Sequence, residues 1–345
     1  MKTKNIATFF AILAAALYAI NIPLSKVLLR FVQPTMMAAF LYLGAGVGLF
    51  FYGRLTKEKG EKLTNAELPY TIGMVVLDIA APILLMLGLR YTEAANASLL
   101  NNFEIVATSL IAFLVFREKL SRRLVLAIGL VTLASMTLSF EGTGSFRFNS
   151  GSLLVLGAAC CWGLENNCTR MLSNRSSVQI TTIKGIFSGL GSLIVALLAG
   201  ERLPGFIWGL AVMVLGFVAY GLSINFYIKA QKDLGAAKTS AYYSVAPFLG
   251  VLFGVLILRE RPGLQFYLGL AVMIGATVLM VKDTISLQHT HAHSHSHTHQ
   301  HAHGDLVHTH EHSHTHTHAH IHELDESIHG HAHSILEGHD HSHAK

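Results

Sequence analysis

Two sets of side chains in this chain have the type and spacing to do chemistry. The first is a tail of imidazoles. All 22 histidines lie between His289 and His343. One run has histidine at every second position: His289, His291, His293, His295, His297, His299, His301 and His303. A second run repeats the pattern at His308, His310, His312, His314, His316, His318, His320 and His322. The spacers are mostly Ser, Thr and Ala, with too little apolar surface to offset the entropy of ordering, so the segment is expected to be disordered when metal-free. Neutral imidazoles on a pliable chain are ligands for Zn²⁺, Ni²⁺ or Co²⁺, and their number exceeds the need of any single site. Metal binding there does not make the metal a required cofactor.

The second set consists of ionisable and amide groups inside otherwise apolar stretches. Asp78 and Glu104 each fall near the middle of such a stretch, and Glu165 and Lys184 fall at similar depth in two neighbouring ones. A charge in hydrocarbon is costly, so it is expected to face a cavity or a partner. Desolvation favours the neutral form of a carboxyl, which is the physical requirement for taking up and releasing protons near neutral pH. Asn101, Glu104 and Thr108 recur at helical spacing, one turn beyond Ser98. Glu165 and Lys184 are expected to pair, with Asn166 beside them. Asn21 lies on a polar stripe with Tyr18 and Ser25, and Tyr243 on one with Ser240 and Ser244. Asp78, Glu104, Glu165, Asn101, Asn21, Asn166, Tyr243 and Lys184 are therefore the candidate pathway residues. Cys161, Glu165 and Cys168 also share a helical face, although buried cysteine is more often a small apolar residue than a ligand.

The elements that position these groups are transmembrane helices. The chain is 52% hydrophobic and only 13% charged, with a mean hydropathy of +0.47 even with the polar tail included. That is too apolar for a soluble domain of this size. Apolar runs long enough to cross about 30 Å of hydrocarbon recur ten times, at roughly 6–28, 35–53, 68–89, 94–116, 122–140, 151–171, 179–199, 205–228, 236–258 and 263–281. Ten crossings put both termini on one side. Loop cations such as Lys2, Lys4, Arg54, Arg122, Arg123, Lys229 and Lys232 outnumber those opposite, which include Arg30, Arg90 and Arg202. The positive-inside rule then makes both termini cytoplasmic, in a multi-pass inner membrane protein surrounded by lipid. The pI of about 9.1 follows from these loops and implies no nucleic-acid surface. The three cysteines imply no disulfide framework. No catalytic triad, phosphate loop or metalloprotease motif is present, so an enzyme is not expected.

Residues Glu93–Ser98 and Arg117-Glu118-Lys119 align with Gly235–Ser240 and Arg259-Glu260-Arg261 at a constant offset of 142 residues. Each half then holds five spans, and an odd number inverts the second half relative to the first. The fold class expected is an all-α polytopic membrane protein of ten helices in two inverted five-helix repeats. Residues 1–145 and 146–283 form the repeats and 284–345 the tail. Inverted repeats around a midplane site suit secondary transporters.

With these residues in view, the chain resembles the EamA-type transporters of the drug/metabolite transporter superfamily. The resemblance rests on Tyr18-Ala-Ile-Asn-Ile-Pro-Leu-Ser-Lys26, on Trp162-Gly-Leu-Glu-Asn-Asn-Cys-Thr-Arg170 and on the two Arg-Glu-(Lys/Arg) helix ends. It implies gradient-driven transport of a small molecule. Two functions follow as expectations: an exporter of a small metabolite, proton- or gradient-coupled, whose tail buffers or senses metal; or an exporter of a transition metal or metal chelate, whose tail collects cargo.

Overall fold

The computed structural model describes the backbone of residues 2–56, 63–118, 120–140, 148–172, 175–303 and 306–321, with side chains over 5–235 and 238–285 of those ranges. It divides into two units, Met1–Ile285 and Ser286–Lys345.

The first unit is a helical bundle. Its first half runs α1 (Lys2–Ala19), α2 (Asn21–Leu28), α3 (Pro34–Leu55), α4 (Leu68–Gly88), α5 (Ala94–Leu100), α6 (Phe103–Phe116) and α7 (Arg122–Ser139). The second half runs α8 (Ser150–Arg170), α9 (Ser177–Ile183), α10 (Gly189–Leu198), α11 (Phe206–Gly216), α12 (Ser223–Leu234), α13 (Ala236–Tyr243), α14 (Ala246–Leu258) and α15 (Leu264–Leu287). Local chemistry sets many of the ends. Pro34 starts α3 after an extended Gln33, and the side chains of Ser121 and Asn149 accept from Leu124 N and Ser152 N to cap α7 and α8. Both α6 and α14 stop at an arginine in the left-handed region, Arg117 with φ 55° and Arg259 with φ 54°. These equivalent residues are the only non-glycine positions with positive φ among the described residues, so the sequence repeat is also a backbone repeat.

Nine spans among the described residues are long and apolar enough to cross a membrane, several of them built from two consecutive helical pieces. The tenth crossing is α8, whose 21 residues are long enough but whose Glu165, Asn166, Asn167 and Arg170 lower its hydropathy. Large apolar side chains such as Phe9, Ile72, Leu114, Leu133, Ile194 and Leu256 face outward, as lipid-facing positions must. Inside, α4 packs along α8, α8 along α6, α1 along α12, and α3 along α10 and α11. Contacts of α3 with the second half depend on absent side chains: a Cβ on Gly46 would come within 2.4 Å of Ile186 N.

The spans are interrupted at mid-depth. α1 gives way to α2 at Ile20, α5 to α6 at Asn101 and Asn102, and α13 to α14 at Ser244 and Val245. π-helical turns at Lys184–Ser188 and Phe217–Leu222 interrupt two more. In α4, Pro82 has no N–H to offer the carbonyl of Asp78. Such irregular backbone is tolerated in a bilayer where it lies against protein or a cavity, and it concentrates here around one region.

At the end of the bundle that holds the N-terminus, Glu67 clasps two segments. It receives two hydrogen bonds from Arg175, at Nε 2.8 Å and Nη2 2.9 Å, and others from Thr64 N and Oγ1. The Arg175 guanidinium, with Thr64, holds its carboxyl down at about 2. A depressed carboxyl contributes stability that is complete above its ordinary value near 4.5 and lost only as pH falls toward 2. Glu67→Gln is thus expected to lower the melting temperature of the purified protein by the same amount at about pH 5.5 and pH 8. A decrement that vanished at the lower of these would contradict this assignment.

In the second unit, β1 (Gln288–His303) and β2 (Leu306–Ile321) pair antiparallel. Alternation of period two is that of a strand, and backbone pairing between two such runs needs no apolar core. The register sets His289 opposite His320, His291 opposite His318, and so on to His301 opposite His308. His322 lies outside the described residues.

Candidate functional site

Polar groups of eight spans gather around these interruptions. At the π-helical turn, Gly185 brings the backbone against Gly46, where a Cβ would come within 2.4 Å of Gly46 Cα. Lys184, at the start of that turn, is thereby directed to two carboxylates from other helices. Its Nζ lies 2.9 Å from Glu165 Oε1 on α8 and 3.3 Å from Asp78 Oδ2 on α4. Asp78 is fully buried and Glu165 is 1% exposed. Tyr42 OH donates to Asp78 Oδ1 at 3.1 Å, Trp162 Nε1 donates to Tyr42 OH at 3.3 Å, and Thr169 donates to Glu165. A buried carboxylate pair sharing one ammonium carries a large cost in desolvation, which the hydrogen bonds from Tyr42 and Thr169 offset in part.

Glu104 begins α6, just past the break at Asn101 and Asn102, and it is half-buried rather than sealed. Its Oε1 accepts from Asn166 Nδ2 at 2.7 Å, and the same amide reaches Thr108 Oγ1 at 3.3 Å. Asn101 turns instead to Tyr18, donating to its hydroxyl at 3.3 Å, while Asn101 Oδ1 is buried with no hydrogen-bond partner among the described residues. Tyr18 leans on Tyr220 and on Tyr243, each with ring centroids 5.9 Å apart, and Tyr220 also meets Tyr42 at 5.6 Å. Asn21 donates to Tyr220 OH at 2.9 Å, and Tyr243 OH lies 3.4 Å from Ser223 Oγ.

All eight candidate pathway residues therefore fall in this one region, in two layers. Asp78, Glu165 and Lys184 form an ion cluster whose two carboxylates are buried and whose lysine is 21% exposed. Glu104, Asn166, Asn101, Asn21 and Tyr243 form a polar and aromatic wall beside it, Asn21 and Asn101 buried and the other three half-buried. Tyr42 and Trp162 were not singled out as site residues from the sequence, because isolated aromatics in an apolar helix look like packing. The signal available was their depth, equal to that of Asp78 and Glu165. Lys26, by contrast, does not merely reach for the interface. Its Nζ donates to Thr92 O at 2.5 Å and lies 3.5 Å from Glu260 Oε1. Of the cysteines, Cys160 is exposed and Cys161 and Cys168 are half-buried. No group of three His, Cys, Asp or Glu suited to a metal occurs among the described residues.

A family model described as the EamA-like transporter family matches residues 5–140 and 149–282, which are the two five-helix halves. An uncharacterized transporter of Methanothermobacter thermautotrophicus is 29% identical over 294 residues, covering 78% of this chain and 84% of its own length. The uncharacterized transporter YyaM of Bacillus subtilis is 20% identical over 66% of this chain and 78% of its own. A third, from Clostridium kluyveri, is 24% identical over 71% and 81%. A solved crystal structure, described only as that of a protein, superposes with a TM-score of 0.60 at 17% identity, over 81% of this chain and 97% of the other. At that identity it speaks for the fold alone.

Proposed function

The chain belongs to the EamA-like transporter family, and from that premise we propose that it is a proton- or gradient-coupled exporter of a small metabolite across the cytoplasmic membrane. Both termini lie in the cytoplasm, and the histidine tail buffers or senses Zn²⁺, Ni²⁺ or Co²⁺. The observation that carries the reading is the buried Asp78–Lys184–Glu165 cluster behind Glu104. Two carboxylates share one ammonium, so a single added proton balances the cluster in a medium that penalises net charge. The neighbouring Glu104 and Asn166, with the tyrosine hydroxyls and rings, provide hydrogen bonds and flat apolar faces suited to a small organic molecule. The cation-rich loops at the N-terminal end support the orientation.

The alternative, an exporter of a transition metal or chelate, is favoured by the tail. Its register sets histidine positions opposite one another along seven rungs, on neighbouring chain segments able to share an ion. Small-metabolite and metal content are to be compared between a deletion strain, a strain lacking only residues 288–345, and the parent. Retention of an organic metabolite in the deletion strain alone supports the first reading. Metal accumulation in both altered strains supports the second, and neither change removes both.

Tail chemistry has its own test. Binding requires neutral imidazole, whose ordinary pKa is about 6.5. Calorimetric titration of the protein with Zn²⁺ at about pH 7.5 is expected to give several sites with graded affinity, weakened at least tenfold at about pH 5.5 and absent after removal of residues 288–345. Equal binding with and without those residues would refute the assignment.

A further inference from the structure

The far end of the bundle, opposite the N-terminus, is closed by a carboxylate latch. Glu260, just past α14, receives Ala94 N at 2.7 Å and Ala95 N at 2.8 Å, the first two amides of α5. Lys26 lies 3.5 Å from the same carboxylate and donates to Thr92 O, tying α2 to the latch. Glu260 is 8% exposed and Ala94 and Ala95 are fully buried. Behind it α5 and α14 pack tightly, a Cβ on Gly250 coming within 2.7 Å of Ser98 Oγ and one on Gly254 within 3.0 Å of Ala95 N.

The carboxylate, the cation and the receiving amides of that latch have equivalents in the other half, whereas Gly250 and Gly254 are replaced there by Thr108 and Ala112. The offset of 142 residues carries Glu260 back to Glu118, Ala94 and Ala95 forward to Ala236 and Ala237, and Ser98 to Ser240. Aligning Tyr18–Lys26 with Trp162–Arg170 carries Lys26 to Arg170. The cation pairing recurs: Arg170 bridges Glu118 as Lys26 bridges Glu260, and both glutamates follow a left-handed arginine. The closure does not recur. Arg170 and Glu118 are 54% and 38% exposed, Ser240 is exposed where Ser98 is buried, and α6 and α13 scarcely meet where α5 and α14 pack.

We propose that Glu118 is the latch of the N-terminal end, seating its carboxylate on the backbone amides of Ala236 and Ala237, with Arg170 in the place of Lys26, when that end closes and the Glu260 latch opens. Two charge-assisted hydrogen bonds are thus exchanged for two identical ones across the molecule. Inverted halves let like carboxylate–amide contacts close either end, so a bound molecule can bias the two conformations. The inference goes beyond the transport reading and its test needs no substrate, so either can fail alone.

The test uses a protein with Cys160, Cys161 and Cys168 replaced by Ala, and with Ala112→Cys and Ala237→Cys, the counterparts of Gly254 and Ala95. The rate of bridging by a short thiol-specific bifunctional reagent is measured in proteoliposomes. Glu118→Gln is expected to lower that rate about tenfold, equivalent to about 1.4 kcal/mol. Ala236→Pro is expected to act in the same direction, because proline fits the first helical position but removes one donating N–H. Glu260→Gln should raise it, which a general loss of folding would not do. No bridging in the parent, an unchanged rate in either Glu118→Gln or Ala236→Pro, or a fall in Glu260→Gln would overturn the proposal.

Discussion

Lys184→Met is expected to be the most destabilising single substitution in the central site, costing about 3–5 kcal/mol. The methionine matches the lysine stem in length and apolar character but leaves Asp78 and Glu165 without their shared cation, one fully buried and the other 1% exposed. Removing one partner of a buried ion cluster costs far more than the net worth of the cluster, because an uncompensated charge remains. Melting of the purified protein should fall by on the order of 10 °C. The sharper check is rescue. Adding Asp78→Asn and Glu165→Gln to Lys184→Met removes the charges while keeping hydrogen-bonding groups for Tyr42 and Thr169. The triple variant should recover most of the loss. A triple variant no more stable than Lys184→Met would show that the stem, and not the charge, holds this region.

The second large effect concerns function without folding. Glu104→Gln is expected to reduce transport by at least about 100-fold, as a group needed in its charged or titrating form would. Gln keeps the size and can still meet Asn166 through its carbonyl, so the bundle should fold. Glu104 is half-buried and makes no ion pair among the described residues, so its charge has no structural partner to lose. The measurement is complementation of the deletion strain's phenotype with the variant at matched membrane abundance. Complementation equal to the parent would remove Glu104 from the pathway.

Much of the architecture was legible in the chain. Apolar runs at 35–53, 68–89, 94–116 and 122–140 correspond to Pro34–Leu55, Leu68–Gly88, Ala94–Phe116 and Arg122–Ser139, because a bilayer sets one length and one chemistry for every crossing. The offset joining Glu118 to Glu260 foretold two like halves, and the matching left-handed caps at Arg117 and Arg259 follow from it. The cost of charge in hydrocarbon singled out Asp78, Glu104, Glu165 and Lys184 without any knowledge of neighbours.

Tertiary structure decided what those charges meet. Depth alone brought Glu165 and Lys184 together, but that Asp78 joins them depends on α4 lying beside α8 and on a π-helical turn presenting Lys184. Tyr42 and Trp162 became site residues only through contacts far apart in sequence. Lys26 ties to Glu260 because two helices from opposite halves meet at one end, an arrangement no local pattern encodes. In the tail, composition argues against a core, whereas the pairing of β1 with β2 is a property of both runs together. Composition and period report how each residue meets its solvent, lipid or water. Which residues meet one another is settled by packing across the chain: the sequence repeat gives both ends a glutamate paired with a cation, but only Glu260 among the described residues sits on the amides of the partner helix.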